Sequence, residues 1–457
     1  MDTQNKHTQD LGRGNVGKLL FQLSIPAIIA QIVNVLYNIV DRIFLGRMVS
    51  GDLAMAGVGI AFPVIVTISA FSSLIGMGGA PLAAIKMGEK NNDGAEQIMT
   101  NCFAMLLCVS VLLTTLIFIF QEPILWTFGA SEATIDYALD YLTIYLIGTI
   151  AVQIAIGMNT FITTQGFAKT AMFSVMIGAG INILLDPLFI FGFNMGVRGA
   201  ALATIIAQFA SAIWVMCFLL GNKGKLKLQK KYFTLNPKIS GRVLALGISP
   251  FVMQVTQALV VIVMNSSMLK YSGDIGVSMM TVMSSVMQIA TLPITGLCQG
   301  GQPIISYNYG AKKYDRVKKT FRLLLISCVG YTTFMWLITL FMPEMLVRIF
   351  NNEAHLIELG KLCIPIYFGG IFMFGIQMSC QQTFLALGKA KISVILALVR
   401  KVVLLVPMAF ILPMFFTTNE GKMIGALLSE PVADVGAAIV TGIAFALFYK
   451  NVLQKQM

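Results

Sequence analysis

Residues 17–47 read GKLLFQLSIPAIIAQIVNVLYNIVDRIFLGR, an apolar run opened by Lys18, interrupted by Pro26 and closed by Arg42 and Arg47. Gln31, Asn34, Tyr37, Asn38 and Asp41 recur at separations of three, four, seven and ten residues, which lines them along one helix face. The face behind them, from Ile28 and Ile29 through Ile32, Val35, Leu36 and Ile39 to Ile43, is aliphatic. The run is long enough to cross a bilayer. A carboxylate inside such a helix costs roughly 2.5–3.5 kcal/mol on insertion scales, so it is expected to face a cavity or a partner. Asp41 can instead mark the end of the span, in headgroups beside Arg42. A second acid further along the chain decides for the cavity.

The rest of the 457-residue chain is equally apolar. It is 57% hydrophobic and 11% charged, with mean hydropathy +0.82, against about a quarter charged in soluble domains. Long uninterrupted apolar runs specify helices rather than the short alternating strands of a barrel. Twelve spans are expected, near 17–40, 53–84, 97–120, 134–156, 161–192, 198–220, 242–267, 276–305, 319–341, 356–381, 391–413 and 424–449. Residues 1–16 are polar and the first apolar run is too long for a signal peptide, so no cleaved leader is expected. The seven cysteines fall inside apolar segments without metal-ligand spacing and read as small core residues.

Charge distribution sets an expected orientation. Of 32 Lys and Arg residues, 23 fall in the N-terminus and in every second loop after it, including Lys223–Lys231 and Lys312–Arg322, and only 7 in the alternate loops. The positive-inside rule then places both termini and the basic loops in the cytoplasm, on a multi-pass cytoplasmic-membrane protein. The net charge of +12 is therefore expected to meet anionic headgroups and not nucleic acid.

The chain also repeats itself. Gly79-x-Pro81 returns as Gly301-x-Pro303, Gly88-x-Lys90-x-x-Asp93 as Gly310-x-Lys312-x-x-Asp315, and Tyr145-x-x-Gly148 as Tyr367-x-x-Gly370. Gly166-x-Ala168-Lys169 returns as Gly388-x-Ala390-Lys391, always 222 residues later, and Pro26 and Pro250 stand close to that register at 224. The reading is an all-α membrane protein of two parallel six-helix bundles, 1–220 and 242–457, joined by a basic linker at 221–241. Repeated bundles with a site near their interface are the architecture of alternating-access transporters.

The halves differ in their acids. Ser174, Gly178, Asn182 and Asp186 step by four along the fifth span, followed by Pro187, whereas the corresponding stretch of the eleventh span has none. Asp41 and Asp186 both come to the outer part of their spans, where they can share a pocket with Asn34, Tyr37, Asn159, Asn182 and Thr204. Two close carboxylates shielded from water titrate as a unit and can load and unload a proton. With Asn and Thr oxygens nearby they can instead hold a sodium ion. Pro26 and Pro187 remove helical hydrogen bonds and permit bending. Glu430 and Asp434, one turn apart in the last span, have Arg400 and Lys401 available and read as a structural ion pair within the second half. Met280, Met283 and Met287, with Met253, Gln254, Gln257 and Gln288, read either as core filler or as a deformable substrate cavity.

Taken together, Pro26, Asp41, Gly79-x-Pro81 with Gly88, Asn182, Asp186-Pro187 and Gly301-x-Pro303 with Gly310-Ala311 make the chain resemble multidrug and toxic compound extrusion (MATE) transporters, nearest their bacterial DinF-like or MepA-like branch. The resemblance implies export of organic, often cationic and lipophilic, compounds by a monomer without cofactors, driven by inward H⁺ or Na⁺. It implies a first-bundle coupling network at Asp41, Asn159, Asn182, Asp186 and Thr204, and bending of the first helix at Pro26 on protonation. Members with second-bundle sodium sites carry acids in the seventh and tenth helices. This chain has Gln254, Gln257, Gln377, Gln381 and Gln382 there, which favours first-bundle coupling.

Three rivals are weaker. A flippase for a lipid-linked precursor needs a cation-lined cavity, for which only Arg400 and Lys401 are candidates. An intramembrane enzyme lacks its groups: His7 and His355 lie outside the spans, and no HExxH or GxGD sequence occurs. A channel lacks a filter-like repeat or charged ring.

Overall fold

The computed structural model describes residues 10–48 and 51–450. His7 and both chain ends, whose side of the membrane the charge count assigns, lie outside the described residues. The described chain consists of helices α1 (Val16–Gly46), α2 (Gly51–Gly88), α3 (Asn92–Thr127), α4 (Ile135–Ile147), α5 (Thr149–Gln153), α6 (Asn159–Thr164), α7 (Ala168–Pro187), α8 (Gly196–Leu220), α9 (Pro237–Gly310), α10 (Tyr314–Phe341), α11 (Pro343–Arg348), α12 (Ala354–Tyr367), α13 (Ile371–Ala386), α14 (Ala390–Leu398), α15 (Val406–Ile411) and α16 (Asn419–Phe448). Among the described residues nine helices are long and apolar enough to cross a membrane. Two bent pairs, broken by 62° at Gly148 and by 44° after Tyr367, make two more spans.

The twelfth span is hidden inside α9. Its 74 residues would extend about 110 Å at 1.5 Å each, far beyond a hydrocarbon core of roughly 30 Å. Gly273 breaks it with φ 64° and ψ −154°, a conformation open to glycine alone. The two ends of α9 both lie against one short stretch of α2, Val243 and Gly247 beside Gly78, and Tyr307 and Ala311 beside Gly88. Gly78 and Gly88 are about 15 Å apart along their helix. The chain therefore reverses at Gly273, and α9 supplies the seventh and eighth spans.

The 222-residue repeat reappears in the backbone. Lys90 and Lys312 both take positive φ, 62° and 57°, and so do Gly166 and Gly388, 92° and 70°. Where the halves meet, Gly88 abuts the Tyr307 carbonyl while Gly310 abuts the Ile85 carbonyl, the same contact with partners exchanged. A side chain at either glycine would collide with backbone. Reciprocal contacts of this kind are what a twofold axis demands. The larger packing obeys it too: α1 crosses the second arm of α9 at Gly296 and Gly300, and α2 crosses the first at Gly247. Ser24 Oγ donates to the Leu297 carbonyl at 3.4 Å, Gln31 Nε2 to Gln299 Oε1 at 3.3 Å, and Gln254 Nε2 to Ser73 Oγ at 2.8 Å.

Two clips close the end that carries the basic loops. The segment before α1 is held by the start of α10: Arg316 donates to the carbonyls of Leu11, Arg13 and Gly14, and Lys313 Nζ to that of Gly12 at 2.8 Å. The segment before α9 is held by the start of α3: Glu96 accepts from the Lys227 and Gln229 nitrogens, and Asn101 Nδ2 donates to the Thr234 carbonyl at 2.8 Å. The hydrogen bonds between α1–α2 and α9 lie at or inward of Gln31, Ser73, Gln254 and Gln299. Further out, Asn34 and Asn38 are exposed on the side of α1 opposite its lipid-facing residues Ile32, Leu36 and Ile43. A cleft thus opens between the halves at the end away from the basic loops.

Candidate functional site

The first half brings its two acids together. Asp186 is fully buried on α7, Asp41 is half-buried on α1, and their carboxyls come within hydrogen-bonding reach of each other. Asn182, one turn before Asp186, donates to Asp186 Oδ1 at 3.2 Å and lies 3.4 Å from Thr204 Oγ1. Thr204 is fixed on α8 by donating to the Ala200 carbonyl at 3.0 Å. Tyr37 stands near Asp41 one turn back along α1. Three oxygens of this cluster, Asp41 Oδ1, Asp186 Oδ2 and Asn182 Oδ1, are buried without a donor. Buried acceptors are nearly always satisfied, so three orphans in one place form a set of acceptors that a proton or a small cation would satisfy. Two carboxylates can hydrogen-bond each other only through a proton.

The helices shape this site for local reasons. Pro187 follows Asp186 directly and has no N–H to donate to the ladder, and the chain widens at once into a π-turn, Leu188–Gly192. Pro26 lies about 22 Å before Asp41 along α1 and leaves the Gln22 carbonyl without its helical donor. It sits in the stretch where Gly296 and Gly300 of the second arm of α9 press against Ile28 and Ser24. The weakened turn of α1 is therefore also its crossing point with the other half.

Two expected members stand apart. Asn34 is exposed toward the cleft, its carbonyl accepting from Asn38 Nδ2 at 2.6 Å, and it makes no hydrogen bond to either acid among the described residues. Asn159 donates to the Ala171 carbonyl at 3.2 Å, some 22 Å along α7 from Asp186. A tight turn, residues 164–168, returns α6 onto the start of α7, so Asn159 meets the basic end of that helix and not its acid. The sequence reading missed Tyr141. It is buried on α4, reaches Thr204, faces Asp41 and stacks on Tyr145 with ring centroids 6.1 Å apart. Two tyrosines four residues apart on an apolar span were the available signal.

In the second half, Arg400 is buried between two acids, with Nε 2.7 Å from Asp434 Oδ1 and Nη2 2.8 Å from Glu430 Oε1. It also lies over the Phe374 ring at 4.8 Å. A π-turn, Val399–Leu405, carries both Arg400 and Lys401. Lys401 donates to the Met253 carbonyl at 3.1 Å and to Gln257 Oε1, crossing to the seventh span. Gln254 is taken up by Ser73, and Met253 Sδ accepts from Gln381 at 3.2 Å.

Of the two readings of the methionines, burial supports core filler. Met280 and Met283 are 1% and 0% exposed and belong to the apolar core of the second bundle, and Met287 packs against it. Flexible thioethers fill the irregular space between helices there. Gln257 and Gln288 are exposed, and Met253 and Gln254 half-buried.

Comparison with known proteins agrees with this geometry. The MatE family model matches residues 26–188 and again 250–411, starting at the two repeat prolines. The chain is 22% identical over 426 residues to the multidrug export protein MepA of Staphylococcus aureus (strain MRSA252), covering 93% of each. The MepA protein of Staphylococcus haemolyticus (strain JCSC1435) is 23% identical, over 92% of this chain and 91% of its own. Among solved structures, the MATE multidrug transporter DinF-BH superposes with TM-score 0.88 at 34% identity over 98% of both chains. Two family matches at one spacing, on two bundles exchanged by a pseudo-twofold, place this chain in the MatE family of multidrug efflux transporters.

Proposed function

We propose that this protein is a secondary active multidrug exporter of a bacterial cytoplasmic membrane, exchanging inward protons rather than sodium for lipophilic or cationic organic compounds. The observation that carries the reading is the cluster of three donorless buried oxygens around Asp41 and Asp186. One shared proton joins the two carboxyls and draws α1 onto α7; its loss leaves two like charges in contact. Pro26 lets α1 respond by bending where it crosses the other half, so the charge state of the pair sets the width of the cleft. Protonation from the open side displaces the substrate outward, and release of the proton to the basic side resets the site. One proton falling through 100 mV supplies about 2.3 kcal/mol, or roughly fiftyfold accumulation.

The names of the relatives, the MepA proteins and DinF-BH alike, speak for multidrug export. A lipid-precursor flippase is disfavoured because Arg400 is already neutralised by Glu430 and Asp434, leaving Lys401 as the candidate cation.

The test is efflux from proteoliposomes holding a fluorescent organic cation, given only a pH gradient or only a sodium gradient. Efflux is expected with the pH gradient, and its loss by at least tenfold in Asp41→Asn at unchanged protein level. Full export by that variant would falsify the coupling role, and efflux on sodium alone would reassign the ion.

A further inference from the structure

The strongest unassigned feature lies on the lipid-facing surface, behind the acid cluster. The bend at Gly148 and the π-turn Ile154–Met158 shape the face that the fourth span turns to the latter part of α8, the two meeting at Ala151, Ala155 and Ala212. Between them runs a cavity of about 540 Å³, lined by Ile150, Ile154, Phe209, Ile213, Met216 and Leu220. Its polar character is negligible, and Ile213 and Leu220 are 61% and 60% exposed, so it opens sideways into hydrocarbon.

Its size and length point to one kind of occupant. An apolar cavity of roughly 150 Å³ takes one benzene, so this one takes on the order of twenty carbons. Phe209 to Gly221 rises about 18 Å, close to half of a hydrocarbon core of roughly 30 Å. The groove is therefore one leaflet deep and one acyl chain in volume. Past Leu220 the chain continues as Gly221–Lys231, with five lysines and no acid. Lys227 and Lys231 are engaged by Asn222 and Asp93, and Lys223 stands exposed two residues beyond the groove.

We propose that this groove is a binding site for an anionic phospholipid from the leaflet on the basic side, one acyl chain lying along α8 and the headgroup phosphate on Lys223. The lipid braces the bent fourth span against α8, and these two elements carry Tyr141 and Thr204 at the coupling site. The inference rests on the membrane-spanning fold and not on the choice of coupling ion.

Native mass spectrometry of the detergent-purified full chain, equilibrated with phosphatidylglycerol or with phosphatidylcholine, tests it. One phosphatidylglycerol is expected to survive delipidation per chain, retained severalfold better than phosphatidylcholine. Ile213→Trp plugs the groove from an exposed position and should cut that retention at least tenfold; Lys223→Glu should abolish the preference between the two lipids. Leu220→Trp supplies the same plug from the other end if Ile213→Trp elutes as an aggregate. Equal retention of both lipids by the native chain overturns the proposal, as does unchanged retention in the plugged variants. Displacement of phosphatidylglycerol by a free fatty acid, equally in the native chain and in Lys223→Glu, would also overturn it.

Discussion

Tyr141 shows how much a single side chain adds to the proposed coupling site. Its hydroxyl reaches Thr204, which in turn orients Asn182 toward Asp186. Tyr141→Phe removes the polar contact beside Thr204; at about 1 kcal/mol for such a contact, proton-driven efflux should fall roughly fivefold while the protein stays folded. An unchanged initial rate would show that Thr204 needs no such partner. Arg400 belongs to stability instead. Arg400→Leu leaves Glu430 and Asp434 buried without a cation and should cost about 3–5 kcal/mol, read as a lowered thermal unfolding temperature in detergent. Replacing all three by apolar residues of similar volume should recover most of that loss, since desolvation offsets much of what a buried ion pair contributes. Asp41 and Asp186 were legible in the sequence because acids are rare and costly in apolar runs. Tyr141 was not, since a tyrosine in such a run is ordinary.

At the scale of elements, the proposed mechanism makes α1 both lever and sensor. Its polar stripe, its proline and its acid are spaced so that the bend lies at the crossing with α9 and the charge some 22 Å away. Pro26→Ala restores the hydrogen bond to the Gln22 carbonyl and stiffens that turn. Turnover should drop several-fold while binding of a fluorescent substrate to the purified protein changes little. Equal losses in both would move the proline's role from bending to shaping the cleft. The boundaries of α1 and α2 follow the apolar runs, whereas the bends in the fourth and tenth spans and the three π-turns were not foreseen. Those irregularities depend on neighbouring helices satisfying the freed backbone, which local sequence does not record.

For the whole molecule, the two clips decide which end is closed. Each lead-in segment is fastened to the third span of the opposite half, by cations on carbonyls in one case and by an acid on nitrogens in the other. The proposed alternating access would require both to open. A cross-link between Gly12→Cys and Lys313→Cys, in a background without the native cysteines, should stop efflux reversibly, reduction restoring it. Transport persisting through that cross-link would mean that the closed end never opens at these segments.

The sequence by itself determined that this chain spans a membrane, that it is built twice, and that its charged chemistry is unequally shared between the copies. Those conclusions rest on composition, a constant 222-residue offset and the position of acids, all of which are local or periodic properties. Only the tertiary structure decided which polar residues meet. It sent Asn159 to the other end of α7, left Asn34 facing the cleft and set Tyr141 beside Thr204. The reason is that helices register against one another through small residues and close backbone approach, as at Gly88 and Gly310. A polar residue's depth in its own span does not reveal which neighbour stands at the same height.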